Sequence, residues 1–511
     1  MRDIFWAIIY VSPKIELYGK KVILLTATPR NNTNEDIYHQ IKLFHHDEET
    51  RIPIEPSNLK KFFKEVENGN KPIQELLRHI LIRRTRRHIL KYWGESDENG
   101  DTFIRVQGVP YYFPQRELKT WTYSIEDTYS GFYDDIMENI QSLTFAKYGL
   151  WNYLHDDFKN RKPYSELEQI GKNLRGFMRV LPLKRLESSV FAFKITIGRL
   201  LKIHRLFVES VKKGYVPAGE EASELLYDAE SYDEEILLEN LARLRVKYDL
   251  TAFKVYELSD DMENDIRILT EMNNSVNRID SGDDDKVQKL KALLSPPQMG
   301  ATKVLIFTQY ADTAHYIYDN IKNSDVHVIT GKEKNKLGIV RRFAPKSNNY
   351  ELKEDEDEIR ILVSTDVLSE GLNLQDAFTV INYDIHWNPV RLIQRIGRLD
   401  RLGALTDTIY VHNFLPEKKL ESHLGLKERI QSRIDEIHRT IGEDEQILDK
   451  TEQINKEAMY TIYGNVSRGI DDIDVVGDPL SEDLFNLNEA EELIREIKKK
   501  ALRYFMWVKW G

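Results

Sequence analysis

Short apolar runs alternate with amphipathic stretches through the later part of the chain. KVLIFT (Lys303–Thr308), VHVI (Val326–Ile329), IRILVS (Ile359–Ser364), FTVINY (Phe378–Tyr383) and TIYVHNF (Thr408–Phe414) are four to seven residues long and rich in Val, Ile and Phe. Runs of this kind are expected as buried strands. Ala311–Lys322 and Lys334–Phe343, between them, have apolar residues at helical spacing. Strands alternating with helices predict a mostly parallel sheet covered on both faces, bounded near Asp285 and Pro416. The preceding region, Ser124–Asp280, is charged, rich in Leu and aromatics, and reads as helical, with KRLESS (Lys184–Ser189) heading one amphipathic stretch. Gly214–Asp233 is acidic and loop-like, SGDDD (Ser281–Asp285) reads as a linker, and helical patterns return at Leu424–Ile441 and Ala490–Arg503.

One helix carries an unusual polar face. Asn388 is a good N-cap and Pro389 a good first helical residue. Gln394, Arg398 and Arg401 follow at spacings of four and three, which predicts a single stripe. Leu392, Ile396 and Leu399 each precede one of them by two residues, about 200° around the helix. The expected element is a helix with its back in a core and two permanent cations on its front, suited to charge building on a transferring phosphoryl group. Upstream, a polar turn with Thr365, Asp366, Glu370 and Gly371 follows the IRILVS run. A turn at the carboxyl end of a buried strand is where α/β proteins place ligands.

Together these segments resemble motifs V and VI of superfamily 2 helicases. The matching strings are STDVLSEGLNLQ (Ser364–Gln375) and QRIGRLDR (Gln394–Arg401). The linker DIHWNP (Asp384–Pro389) and the KRLESS block resemble the Swi/Snf-like branch, including bacterial RapA-type proteins. KVLIFTQYADTA (Lys303–Ala314) resembles motif IV, and the strand ending in Thr330-Gly331 matches the family's next strand. KVILLTATP (Lys21–Pro29) resembles motif III, and the basic stretch Arg78–Lys91 resembles the block closing the family's first lobe. The resemblance implies an α/β fold: a RecA-like second helicase lobe at residues 285–416 and a truncated first lobe at 1–123. A large helical insertion would occupy 124–284 and a helical extension 417–511.

In function, the resemblance implies ATP with Mg2+ between two lobes and movement along DNA, expected to be double-stranded. Arg398 and Arg401 would stabilise the γ-phosphoryl charge, and Gln394 would orient nearby polar groups. Asp366, Glu370, Gly371 and Gly397 would line the nucleotide edge. Thr26, Thr28, Arg83, Arg84, Gln309, Thr330 and Thr365 would face the nucleic acid. Two motifs of the family are missing. A P-loop needs G-x-x-x-x-G-K-[ST], but Gly19-Lys20, Gly171-Lys172 and Gly331-Lys332 are followed by Lys21, Asn173 and Glu333. The apolar run Ile4–Val11 leads into Ser12-Pro13-Lys14, with no carboxylate pair for magnesium. The chain is therefore expected to be the C-terminal portion of such an ATPase and inactive alone, with no metal ligands of its own.

Composition narrows the alternatives. The 511 residues imply more than one domain, and no run approaches the ~20 apolar residues of a membrane span. The absence of cysteine excludes disulfides and thiolate chemistry and fits a cytoplasmic protein. A net charge of −11 argues against a uniformly basic surface, but a groove-binding enzyme needs only a local basic lining. Two rival readings remain. One is a non-hydrolysing DNA- or nucleotide-binding regulatory module. The other is half of a split ATPase, with the P-loop on an upstream polypeptide. A nuclease or sugar-nucleotide enzyme on a similar α/β unit is the least favoured.

Overall fold

The computed structural model describes residue 24 and most of residues 34–217 and 248–416. Residues 1–23, 25–33, 83–85, 169–177, 218–247, 369–371, 387–388, 402–403 and 417–511, with a few other positions, lie outside the described residues. Thr26, Thr28, Arg83, Arg84, Glu370, Gly371, the Asn388 cap and the C-terminal helical patterns therefore fall outside them too.

The chain divides into two units, the described parts being residues 34–94 and 95–416. In the first, helices Glu35–Lys42, Leu59–Glu67 and Gln74–Ile80 close on Ile37, Ile41, Leu59, Phe62, Phe63 and Leu76. Asn58 caps the middle helix by accepting from the Lys61 amide at 3.1 Å. The basic stretch Arg78–Lys91 is not one helix. The first helix ends at Ile80, with Leu81 extended (φ −108°, ψ 121°), and a second runs over Arg86–Trp93.

The second unit is built on a six-stranded sheet. Its strands are β1 (Gln115–Tyr123), β2 (Val304–Phe307), β3 (Val326–Ile329), β4 (Ile361–Ser364), β5 (Thr379–Asn382) and β6 (Thr408–Pro416). They lie in the order β1-β6-β5-β2-β4-β3, and every pairing is parallel. Leu305 stands opposite Val380 on one side and Leu362 on the other. β2, β4 and β5 are buried along their whole length, as strands covered on both faces must be. Their apolar side chains meet Ile339, Val340 and Phe343 from a neighbouring helix and Ile396 and Leu399 from the end of another, in one core.

Strand β1 differs from the sequence expectation, which placed residues 115–123 at the end of the first-lobe remnant. It extends the six-stranded sheet, pairing with β6 from Gln115 opposite Thr408 to Tyr123 opposite Pro416. Its sequence, QRELKTWTY, alternates exposed and half-buried positions as an edge strand does.

Between β1 and β2 the described residues are mainly helical. The helices α1 (Val190–Lys212) and α2 (Val255–Val276) pack together over Phe207, Leu258 and Met262. Asp265, fully buried on α2, accepts from the amides of Thr144 and Ala146 and from the Thr144 hydroxyl. Residues 181–188 are helical, and Ser189 breaks from that turn to cap α1, accepting from the Ala192 amide at 3.0 Å. Helix α3 (Asp285–Leu293) opens the lobe, with Asp284 as its N-cap accepting from the Lys286 and Val287 amides. The lobe's other helices are α4 (Ala311–Ile321), α5 (Lys336–Phe343) and α6 (Pro389–Ile396). Among the described residues, no helix is long and apolar enough to cross a membrane.

Candidate functional site

Because the strands run parallel, the carboxyl ends of β2, β4, β3 and β5 share one edge of the sheet. Gln309, Thr365 and Thr330 follow β2, β4 and β3, which are adjacent in the sheet. All three are buried, at 4%, 0% and 7% exposure. Among the described residues, both side-chain polar atoms of Gln309 and the Thr365 hydroxyl are buried without a hydrogen-bond partner. Buried amides and hydroxyls normally find partners, so these groups are held at a desolvation cost.

Helix α6 is shorter than its apolar pattern predicted. Leu392, Ile396 and Leu399 are each fully buried, as expected for the back of the element. The regular helix ends at Ile396, because Gly397 weakens the next turn. The Gly397 amide still reaches Ile393 O at 2.8 Å, but the Arg398 and Leu399 amides bond three residues back, to Arg395 O and Ile396 O. Across this tightened end, Arg398 and Arg401 each still reach the carbonyl four residues back.

The two arginines hold to main-chain carbonyls. Arg398 Nε donates to Gln394 O at 3.3 Å. Arg401 Nε donates to Gly397 O at 3.2 Å, and its Nη1 donates to Asn373 Oδ1 at 2.6 Å. Among the described residues, the half-buried Arg401 guanidinium thus meets neutral oxygens and no carboxylate. Burial pulls its pKa below the usual arginine value. A partly desolvated cation with only neutral partners is a place where an anion gains.

Arg395, which the sequence reading passed over, is the buried centre of the site. Its guanidinium is fully buried; Nε and Nη2 donate to Asp366 Oδ1 and Oδ2 at 2.6 and 3.0 Å. Nη1 donates to Asn382 Oδ1 at 3.3 Å and to Asp384 O at 3.1 Å. Burial disfavours its charge, and Asp366 more than reverses that, raising its pKa. Burial likewise pushes the Asp366 carboxyl up, and Arg395 overcomes it, holding the carboxyl below the ordinary range. Asp366, expected to line a nucleotide edge, is the counter-ion that ties α6 to the turn after β4. A signal existed. Arg395 lies three residues after Leu392 and four before Leu399, inside the apolar stripe, where arginine is found only when paired.

Asp400, between the two outward arginines, is clasped from the edge strand. Its Oδ2 accepts from Arg116 Nε at 2.5 Å, with side-chain exposures of 12% for Arg116 and 2% for Asp400. Two buried ion pairs therefore set the α6 end, one from β4 and one from β1. Among the described residues, no group of three or more His, Asp or Glu side chains converges as a metal site.

Comparison with known proteins fits this geometry. Residues 285–403 match the helicase conserved C-terminal domain. An uncharacterised ATP-dependent helicase of Bacillus subtilis, YqhH, is 32% identical over 155 residues, 30% of this chain and 26% of that protein. The ATP-dependent RNA helicase DBP8 of Kluyveromyces lactis is 27% identical over 156 residues, 30% of this chain and 33% of that protein. The matched region thus spans about a quarter to a third of these relatives. The solved C-terminal part of the Fun30 ATPase domain aligns over 71% of this chain and 99% of its own, with 14% identity and a TM-score of 0.33. At that score the fold assignment stands on the all-parallel sheet itself.

Proposed function

We propose, from the superfamily 2 helicase C-terminal domain at residues 285–403, that this chain supplies the second half of a nucleic-acid-dependent ATPase that moves along duplex DNA. The observation that carries the reading is the half-buried Arg401 guanidinium, which among the described residues bonds only to neutral oxygens. Bound ATP would supply the transferable phosphoryl group. Arg401 and Arg398 would face its γ-phosphate, each trading a carbonyl partner for a phosphate oxygen. A finger of this kind is worth about 10³–10⁵ in rate, or roughly 4–7 kcal/mol of barrier. Gln394, one helical turn before Arg398, would orient polar groups between them. The Asp366–Arg395 pair would keep α6 in place, so that the arginines meet the phosphate without reorganisation.

No residue described here is assigned to magnesium. The sequence has no G-x-x-x-x-G-K-[ST] string to hold the phosphates. This favours a cleft completed by a P-loop that these residues do not provide, and a chain that does not turn over by itself. Gln309, Thr330 and Thr365 would contact the nucleic-acid backbone once the edge opens to it. The Swi/Snf-like linker Asp384–Pro389 favours duplex DNA as the track. The RNA helicases among the relatives make RNA the alternative.

The test is binding of labelled duplex DNA and of duplex RNA to the purified chain over a salt series. Preferential DNA binding that weakens with salt is expected. Equal or stronger RNA binding would replace DNA as the track.

A further inference from the structure

The helical region between β1 and β2 sends one segment into the lobe, and that segment is charged. Lys184, Glu187 and Ser188 are all fully buried, as is Asp384 just after β5, and Lys286 of α3 is 2% exposed. Lys184 Nζ donates to Ile385 O at 3.2 Å and lies 3.5 Å from Glu187 Oε2. Lys286 Nζ donates to Glu187 O at 2.6 Å and Ser188 O at 3.1 Å, and sits 4.6 and 4.5 Å from the ring centres of Tyr123 and Tyr383. The two cations and two carboxylates balance.

The segment's reach into the site runs through one carboxylate. Ser188 Oγ donates to Asp384 Oδ2 at 2.7 Å, and Thr308 Oγ1 donates to the same oxygen at 2.5 Å. Asp384 Oδ1 accepts from the Gln309 amide at 2.7 Å. The Asp384 carbonyl accepts from Arg395, the residue that locks Asp366. A single buried aspartate thus touches the ends of β2 and β5 and the helix carrying the arginines, and Ser188 holds it from outside the lobe. Gln309, whose backbone amide it holds, has both side-chain amide atoms buried with no partner among the described residues.

Apolar side chains would join two packed bodies at least as stably, because desolvating four charges is costly. A hydrogen-bonded charge cluster accepts one geometry only, and here that geometry sets the Gln309 backbone. We propose that the Lys184–Ser189 segment is a positioning element, with Ser188 acting through Asp384 to hold Thr308 and Gln309 where they meet nucleic acid. The nucleic-acid part rests on the proposed function; the positioning part does not.

The test compares Ser188→Ala with Ser189→Ala in the full chain. Ser189 caps α1 and bonds Thr313 at 2.9 Å, and so has a structural part in the same segment. Hydrogen exchange is measured peptide by peptide, and binding of a labelled DNA duplex by fluorescence anisotropy. Ser188→Ala is expected to speed exchange at residues 308–310 about tenfold, the factor carried by one buried hydrogen bond, and to weaken duplex binding by a similar factor. Ser189→Ala is expected to lower the melting temperature and change neither. Thr308→Val, which removes the other hydroxyl on Asp384 Oδ2, gives the same reading if Ser188→Ala is insoluble. Unchanged exchange at 308–310 in Ser188→Ala, or equal acceleration in both serine variants, overturns the proposal. If the wild-type chain binds no duplex, the functional reading fails, and the exchange comparison still decides the positioning claim.

Discussion

Replacing Arg395 by Met tests whether the buried ion pair or the apolar stripe holds the arginine-bearing turn. The fully buried guanidinium makes two bonds to Asp366, one to Asn382 and one to a main-chain carbonyl. Methionine fills most of the same volume and keeps an apolar stem near the Phe307 ring, which lies 5.3 Å from the guanidinium, so the cavity cost is small. The electrostatic cost is not. Removing one member of a buried pair costs about 3–5 kcal/mol. Asp366 keeps 16% side-chain exposure, so water reaches it and the lower end of that range is expected. At roughly 2–4 °C per kcal/mol for a unit of this size, a loss of about 3 kcal/mol should lower the melting temperature by roughly 6–12 °C.

The pH dependence gives an independent check. Arg395 holds the Asp366 carboxyl below its ordinary pKa against burial. In the wild type the pair's contribution is therefore complete above about pH 4 and is lost as pH falls through the lower folded value. With the guanidinium gone, burial, the largest influence, is opposed only by the weaker attraction of His386 and Arg391, and the pKa rises. The variant should then lose stability as pH rises above about 4, and Asp366→Asn in the same chain should remove that slope. Urea unfolding across this pH range measures both effects. A variant within about 1 kcal/mol of wild type, or one with an unchanged pH slope, would refute the reasoning.

Other predictions are more local. His412, 4% exposed with Trp121 Nε1 donating to its Nδ1 at 2.8 Å, is driven by burial to a pKa of about 4. His204, fully buried with its Nδ1 on Leu200 O, is likewise at about 4. Both stay neutral when folded, so stability should fall as pH drops from about 6.5 to 4, by about 3 kcal/mol for each; His412→Asn should flatten its share in urea titrations. Arg116→Met should cost about 3 kcal/mol by depriving buried Asp400 of its guanidinium, and should speed hydrogen exchange at residues 398–401. Ser189→Ala should cost about 1 kcal/mol through the lost cap on α1, read by thermal unfolding.

Much of the lobe was legible because its strands are buried on both faces. Val304–Phe307, Ile361–Ser364 and Thr379–Asn382 lie inside the expected runs, and α3 begins at the expected boundary, Asp285. What escaped was set by partners remote in sequence. Gln115–Tyr123 alternates too weakly to declare its sheet, and its partner strand begins at Thr408. The regular helix of α6 stops short of the arginines because the backbone tightens after Gly397. Arg395 was hidden because arginine ordinarily marks a solvated face, although an arginine between Leu392 and Leu399 already implied a buried acid. The depth of Lys184–Ser189 had no local signal, since lysine and glutamate ordinarily mark a solvated face.

Arg401 is the residue on which the proposed hydrolysis depends most directly. Its central test is ATP hydrolysis in the presence of duplex DNA, by this chain mixed with a polypeptide carrying a P-loop and acidic motif, in wild-type and Arg401→Ala forms. The account predicts no stimulated hydrolysis by the chain alone, hydrolysis in the wild-type mixture, and a loss of about 10³-fold or more with Arg401→Ala. Stimulated hydrolysis by the purified chain alone, or a mixture that keeps its rate without Arg401, would contradict it.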